Sequence, residues 1–291
     1  MSTIQRRLSP TLLASLEYCN RLFWMNIKKP HHGVQTELTV LGKFEHSVIE
    51  QFYNLTKNYW KTQNEFENDN SLDERISLAV NDSIEISRKN FALFFDHIQA
   101  NSESMKFRLV HLNQMKVDQI KKFLKKGIEF STALSLTMPF VTEKWLESKV
   151  YGIGGYADFL YWNPDGSITI EDIKSHNDRY DAFIHRPSHL AQGVTYAIMA
   201  EEVYGKPVKK FQIFYSKDCF TESFTITKKL KQELIDSIKR APDILVGDMP
   251  EKLGPLEDIK CKNCYSRDYC FSIDTVSYTH LRAHDTEADL V

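Results

Sequence analysis

The stretch Val150–Ser175, VYGIGGYADFLYWNPDGSITIEDIKS, decides how this chain is read. Tyr156, Phe159 and Tyr161 before the turn, and Ile168, Thr169 and Ile170 after it, are strand formers. Asn163-Pro164-Asp165-Gly166 between them is turn chemistry, so the spacing predicts an antiparallel hairpin. Side chains alternate along a strand, which puts Asp172 and Lys174 on one face of the second arm and Asp158 in the middle of the first. Carboxylates inside strands this apolar need something to offset their desolvation, and a divalent cation is the commonest such partner. Taken alone, an acid-x-Lys triplet reads as an ion pair on an exposed strand edge.

Outward from the hairpin, Pro139 opens a sheet region in which Phe140 to Val150 alternates as a preceding strand. After Pro187 the run SHLAQGVTYAIMAEEVYG predicts a helix with Leu190, Ala191, Val194, Ala197 and Ile198 inward and Gly205 at its end. Gln192 and Tyr196, four residues apart, share a face of it. Two further strands, Lys210 to Ser216 and Phe220 to Thr227, precede a helix from Lys228 to Arg240.

Towards the N-terminus, Ser9-Pro10 is a cap followed by proline at the first helical position. Leu12, Leu16, Cys19 and Phe23 then fall on one face, a pattern in which Cys19 is core. A second helix, from about Thr36 to Leu55, is apolar at Leu41, Phe44, Val48 and Phe52, with Gly42 and His46 one turn apart on another face. From Thr56 to Phe130 the chain turns polar and helical, with a capping box at Ser71–Glu74, and reads as a helical insertion or lid. Its run Lys121-Lys122-Phe123-Leu124-Lys125-Lys126 is either a solvated face or a phosphate-contacting patch.

At 291 residues and 42% apolar, the chain can bury a core of one large domain, taken here as residues 1–275 with the insertion at about 56–130. Thirty-seven basic against 39 acidic side chains give a formal charge of −2, so any nucleic-acid role rests on local patches rather than on a global basic field. No apolar run reaches the roughly 20 residues that a bilayer demands, and no signal-peptide pattern opens the chain, which reads as cytoplasmic. In that reducing compartment, clustered cysteines favour metal over disulfides. After Val276 the tail shows no periodicity that would bury it, and residues 276–291 are expected to be unstructured, with His280 and His284 given no role.

Phosphodiester hydrolysis needs an activated water, neutralised phosphate charge and help for the leaving oxygen, all of which Mg²⁺ or Mn²⁺ held by carboxylates can supply. Asp158 and Asp172 are the candidate ligands, with the carbonyl of Ile173 completing an edge. Lys174, on the face of Asp172, is placed to orient the water and offset developing charge. Separately, Cys261-x2-Cys264-x5-Cys270 offers three thiols where tetrahedral sites want four ligands. Cys19 is the natural fourth if the ends of the domain meet, and a zinc knob completed by Cys19 or a histidine is the alternative. Cys219 reads as a free buried thiol.

Gly155-Tyr156-Ala157-Asp158, the turn, Glu171-Asp172-Ile173-Lys174 and then a helix with Gln192 and Tyr196 resemble the PD-(D/E)xK nuclease superfamily in its RecB-like branch, over about Ser9 to Phe271. The resemblance implies an α/β, restriction-endonuclease-like fold, a central mixed sheet flanked by helices, here with a helical insertion and a C-terminal cysteine cluster at 261–270. It implies that His46, in Gly42-Lys43-Phe44-Glu45-His46, is a further metal ligand and that Gln192 and Tyr196 lie near the site and the DNA. Glu143 matches an acidic position for which Glu147 competes.

One early and three late cysteines resemble the iron-sulfur members, including the CRISPR-associated family and the AddB nuclease domain. This implies a 4Fe-4S cluster on Cys19, Cys261, Cys264 and Cys270 that staples the ends together. The implied activity is metal-dependent exonucleolytic cutting of single-stranded DNA or DNA ends, in repair, phage replication or CRISPR adaptation, with a helicase or adaptation proteins as partners. The rival readings are a catalytically inactive or zinc-stapled nucleic-acid-binding subunit.

Overall fold

A computed structural model describes residues 7–29, 37–61, 69–91, 95–175, 179–255 and 258–273. In chain order the helices α1 (Pro10–Tyr18), α2 (Asn20–Lys28), α3 (Glu37–Lys61), α4 (Asp69–Asn90), α5 (Phe95–Leu124) and α6 (Phe130–Thr137) precede the strands β1 (Val141–Ser148), β2 (Ile153–Trp162) and β3 (Ile168–Lys174). There follow α7 (Arg179–Tyr204), β4 (Val208–Tyr215), β5 (Phe220–Thr225), α8 (Lys228–Val246) and the short α9 (Ile259–Lys262). The calls on His280, His284 and the tail lie outside the described residues.

β2 and β3 form the expected hairpin, with Tyr161 opposite Thr169 and Trp162 opposite Ile168. Its turn holds itself together: Gly166 takes φ 73°, the Ser167 N–H donates to Asp165 Oδ1 at 3.0 Å, and Asn163 Nδ2 donates to Ser167 Oγ at 2.9 Å. The sheet order is β1-β2-β3-β4-β5, antiparallel except for the parallel β3–β4 pair, which α7 connects. It is thus a mixed sheet flanked by helices, as the restriction-endonuclease-like fold requires.

Beyond the Phe159–Glu171 pair, β2 and β3 stop pairing: the first half of β2 stays with β1 and the last residues of β3 stay with β4. The sheet opens as a V, with Asp158 on one arm and Asp172 on the other. At this point the apolar residues of β2 change parity, Ile153 and Ala157 facing one core but Leu160 sharing it and Phe159 and Tyr161 turning to the other. On β1 the same change falls at Glu143, whose φ of 47° is left-handed. A non-glycine residue held there stores strain, on the order of 1–3 kcal/mol, of the kind that re-aims side chains at strand irregularities.

One core packs α1, α7 and α8 on the sheet through Leu13, Leu16, Val194, Phe211 and Leu234. Gly193 lets α7 close on β4, because a Cβ there would lie 2.2 Å from the Phe211 ring. The second core packs Phe44, Val48 and Phe52 of α3 with Met105, Leu109 and Leu112 of α5 against Phe159, Tyr161, Ile173 and Phe214. Two buried polar networks tie α5 to the strands. Arg108 pairs with Glu45 at 3.0 Å, and Glu45 accepts from Ser216 Oγ. Lys116 lies 4.5 Å over the Tyr161 ring and donates to its hydroxyl, which in turn donates to Glu171 at 2.7 Å.

Four local expectations are corrected. The first helix breaks at Cys19, which is extended (φ −165°, ψ 124°) and caps both α1 and α2, so the thiol leaves the apolar stripe. α7 begins at Arg179, with Pro187 inside it rather than before it. Ser71 lies within α4, whose first residue is Asp69, so it is not a cap. α6 forms where the helical block was taken to end, burying Ala133 and Leu134.

Candidate active site and cysteine cluster

The V opens a cleft between the acid-bearing strands, and helices from both faces reach into it. Asp158 and Asp172 are both buried, and the Ile173 N–H donates to Asp158 Oδ2 at 2.8 Å. From α3, His46 places Nε2 2.9 Å from the Ile173 carbonyl oxygen and Nδ1 3.6 Å from Asp158 Oδ2. α3 can come this near because Gly42, one turn earlier, faces the end of β3: a Cβ there would meet Ser175 Oγ at 3.0 Å.

Lys174 extends along the Asp172 face, its Nζ 2.6 Å from Asp172 Oδ2 and donating to Gln192 Oε1 at 3.0 Å. Asp172 Oδ2 is thus buried against the ammonium in an ion pair rather than in an aligned hydrogen bond. Gln192 Nε2 donates to the Tyr196 hydroxyl at 3.2 Å, which completes the α7 side. Burial, then the charges of Asp172 and Asp158, push the Tyr196 phenol far above its ordinary range, and it stays a neutral donor.

β1 adds a further acid. Glu143 lies between the paired positions Thr142–Phe159 and Lys144–Ala157, hence opposite Asp158. Among the described residues, His46, Glu143 and Asp158 are the one trio of potential ligands whose donor atoms all lie within 4.8 Å of one another. Glu147, the competing candidate, is instead paired with Arg7. Alternation could not choose between the two, since both share a face of β1; the register against Asp158 does. Sequence reading also missed Glu50, one turn beyond His46 on α3, whose carboxyl is raised by burial and then by Glu143. Its i,i+4 spacing from His46 was the available signal.

The electrostatics fit a cation. Burial and the neighbouring Asp172 push Asp158 up to about 7, with His46, the Ile173 N–H and Lys174 opposing. A carboxylate raised by burial and a neighbouring acid is relieved by a cation bound beside it. The 2.9 Å between His46 Nε2 and the Ile173 oxygen also suits adjacent ligands of an octahedral ion, which stand about 3.0 Å apart when each bond is about 2.1 Å.

The thiols also converge. Cys19, Cys261, Cys264 and Cys270 line one recess between α1–α2 and the C-terminal segment. Cys264 is pushed up to about 11, by burial first and then by the other three thiols, against a backbone hydrogen bond from Ser266. The fastening around them is dense: the Tyr18 hydroxyl donates to the Lys260 carbonyl at 2.6 Å, and buried Arg21 reaches Cys270 Sγ at 3.1 Å and the Pro250 carbonyl at 3.1 Å. Lys252, Lys260 and Arg267 add positive charge to the lining. Four thiols gathered beside these cations make this recess a candidate site for a metal group. Cys219 is apart, half-buried in the β4–β5 turn at φ 48°. The basic run at the end of α5 is largely exposed.

A mixed sheet split between two acidic strands, with a lysine beside one acid, defines a restriction-endonuclease-like phosphodiester hydrolase. The chain belongs to the PD-(D/E)XK nuclease superfamily, whose family model matches residues 7–271. Nucleases of this superfamily use divalent metal ions. A crystal structure of a candidate exonuclease from Eubacterium rectale is similar over 88% of this chain and 87% of that one, with a TM-score of 0.44 and 10% identity. The comparison with curated proteins finds no match. Among the described residues, no helix is long and apolar enough to cross a membrane.

Proposed function

We propose that this nuclease cuts single-stranded DNA or DNA ends with Mg²⁺ or Mn²⁺ held by Asp158, Asp172, His46 and the Ile173 carbonyl, Glu143 joining them. The observation that carries the reading is the opening of the sheet at Asp158 and Asp172, two buried carboxylates near enough that Asp172 raises Asp158. When bound, the cation supplies Lewis acidity towards the phosphate and a water acidified enough to attack. Lys174, steadied by Gln192, orients that water and offsets charge on the phosphate oxygens. Tyr196, held protonated, steadies Gln192 and offers its hydroxyl to the DNA side of the cleft. An inactive binding subunit is disfavoured by the intact Asp158, Asp172 and Lys174.

Cys19, Cys261, Cys264 and Cys270 fit a 4Fe-4S cluster serving as a staple in a single domain with its helical insertion at 56–130. All four line one recess between α1–α2 and the C-terminal segment. The one-early, three-late order of the cysteines, which resembles the iron-sulfur members, favours iron-sulfur over zinc. The motif order resembling RecB-like enzymes supports exonucleolytic end processing in the cytoplasm, in repair, phage replication or CRISPR adaptation alongside a helicase or adaptation partner. Anaerobically purified protein given Mn²⁺ should degrade an end-labelled linear single strand and spare a circular one; cutting of the circle removes the exonuclease mode.

A further inference from the structure

The β1–β2 arm of the V carries something the chemistry above does not use. Trp145 and Tyr156 face each other across the two strands in the Trp145–Tyr156 register pair, ring centroids 5.1 Å apart and planes at 69°. They remain 43% and 58% exposed, because the helices that cover Phe159 and Tyr161 do not extend over this part of the arm. Trp145 lies two residues beyond Glu143, and Tyr156 two residues before Asp158, which is about 7 Å along each strand.

The indole is exposed but fixed. Gly154 makes room for it: a Cβ there would lie 2.8 Å from Trp145 Cζ2 and 3.3 Å from Cη2, so the ring rests on the β2 backbone while staying 43% exposed. Its Nε1 points to Glu147 Oε2 at 3.5 Å, and that carboxylate is in turn paired with Arg7, which offsets its repulsion of phosphate. A ring already held in place loses little freedom on binding, which suits an anchor better than a loose surface side chain.

Resting on the reading of this chain as a nuclease for single strands, we propose that Trp145 and Tyr156 form a stacking platform for an unpaired base of the strand being cut, close to the scissile phosphate. The platform is continuous with the cleft, since the aromatics lie further along the same strands as the acids of β1 and β2. Every base has a π face, so the platform holds single strands with little sequence preference and discriminates against duplex, whose bases are already stacked.

The test pairs protein variants with strands carrying one abasic site at successive positions. Wild type should lose about 5- to 150-fold in affinity on a labelled strand that is abasic at one particular position. The Trp145→Ala/Tyr156→Ala variant should show that loss on the intact strand and be indifferent to the abasic site, while Trp145→Phe keeps most of the affinity. Binding is read by fluorescence anisotropy in EDTA, so it does not depend on cutting, and thermal denaturation checks the fold; Trp145→Phe/Tyr156→Leu replaces the double alanine variant should that one unfold. Base-dependent binding that survives without any Mn²⁺-dependent cutting leaves the platform standing and removes the catalytic reading. Cutting by a wild-type protein whose binding ignores every abasic site, or a double variant that binds like wild type, overturns the platform and leaves the face to a protein partner.

Discussion

Glu171→Leu should destabilise the protein more than Lys116→Met, although the two side chains belong to one buried network. Lys116 is enclosed, 4.5 Å above the Tyr161 ring and 5.2 Å from the Tyr53 centroid, and its one hydroxyl contact is to Tyr161 at 3.4 Å. Glu171 Oε1 accepts from the Tyr161 and Tyr53 hydroxyls at 2.7 and 3.4 Å. Removing the carboxylate leaves a buried ammonium with no counter-charge, a loss of about 3–5 kcal/mol, or roughly 5–8 °C in Tm for a chain of this length. Removing the ammonium leaves a carboxylate with both phenols, closer to the cost of one lost polar contact, about 1–3 kcal/mol. Lys116→Met combined with Glu171→Gln removes both charges and should recover most of the loss.

The pH dependence carries a sign. Burial lowers the Lys116 pKa and Glu171 opposes that, so losing Glu171 lowers it further. A base depressed in the folded state takes up more protons when unfolded, and stability therefore rises with pH towards 10.5. The Glu171→Leu deficit, from urea denaturation with unchanged m, should shrink between pH 7 and pH 9.5. Equal losses from the two single variants, or a deficit that ignores pH, would refute the network.

Gly193→Ala forces a methyl against Phe211 at 2.2 Å and should cost about 1–3 kcal/mol or more and slow cutting by displacing Gln192, with Phe211→Leu relieving both; an unaltered melting curve contradicts the close approach. Asp158, raised to about 7 from 3.8, binds its proton more tightly folded than unfolded. The metal-free protein should then lose stability as pH climbs through that window, and Mn²⁺ binding near pH 6 should release protons, seen as a buffer-dependent heat in calorimetry. Cys261→Ser or Cys264→Ser should remove visible absorbance near ~400 nm and lower Tm together; stability retained without iron or zinc contradicts a staple.

The hairpin was readable because period-two alternation and turn chemistry are local, and Asp158, Asp172 and Lys174 came with it. The convergence of Cys19 with the late trio depends on the chain's ends meeting, which no local pattern encodes. The break that frees Cys19 from the core face was likewise hidden, since Leu12, Leu16, Cys19 and Phe23 fit one unbroken helix. Glu143 needed the strand register to be told from Glu147. Glu171, the acid beside Asp172 in sequence, instead accepts from the Tyr161 hydroxyl, to which Lys116 of α5 donates. That partnership spans 55 residues (171 − 116) and left no trace in periodicity.

The most direct measurement is Mn²⁺ titration calorimetry run beside cleavage of an end-labelled single strand for wild type, Asp158→Asn, Asp172→Asn and Lys174→Gln. Wild type should bind and cut, the aspartate variants should bind at least about tenfold more weakly and not cut, and Lys174→Gln should bind without cutting. Wild-type cutting by Asp172→Asn, or full Mn²⁺ affinity with both aspartates replaced, would contradict the assignment of this cleft.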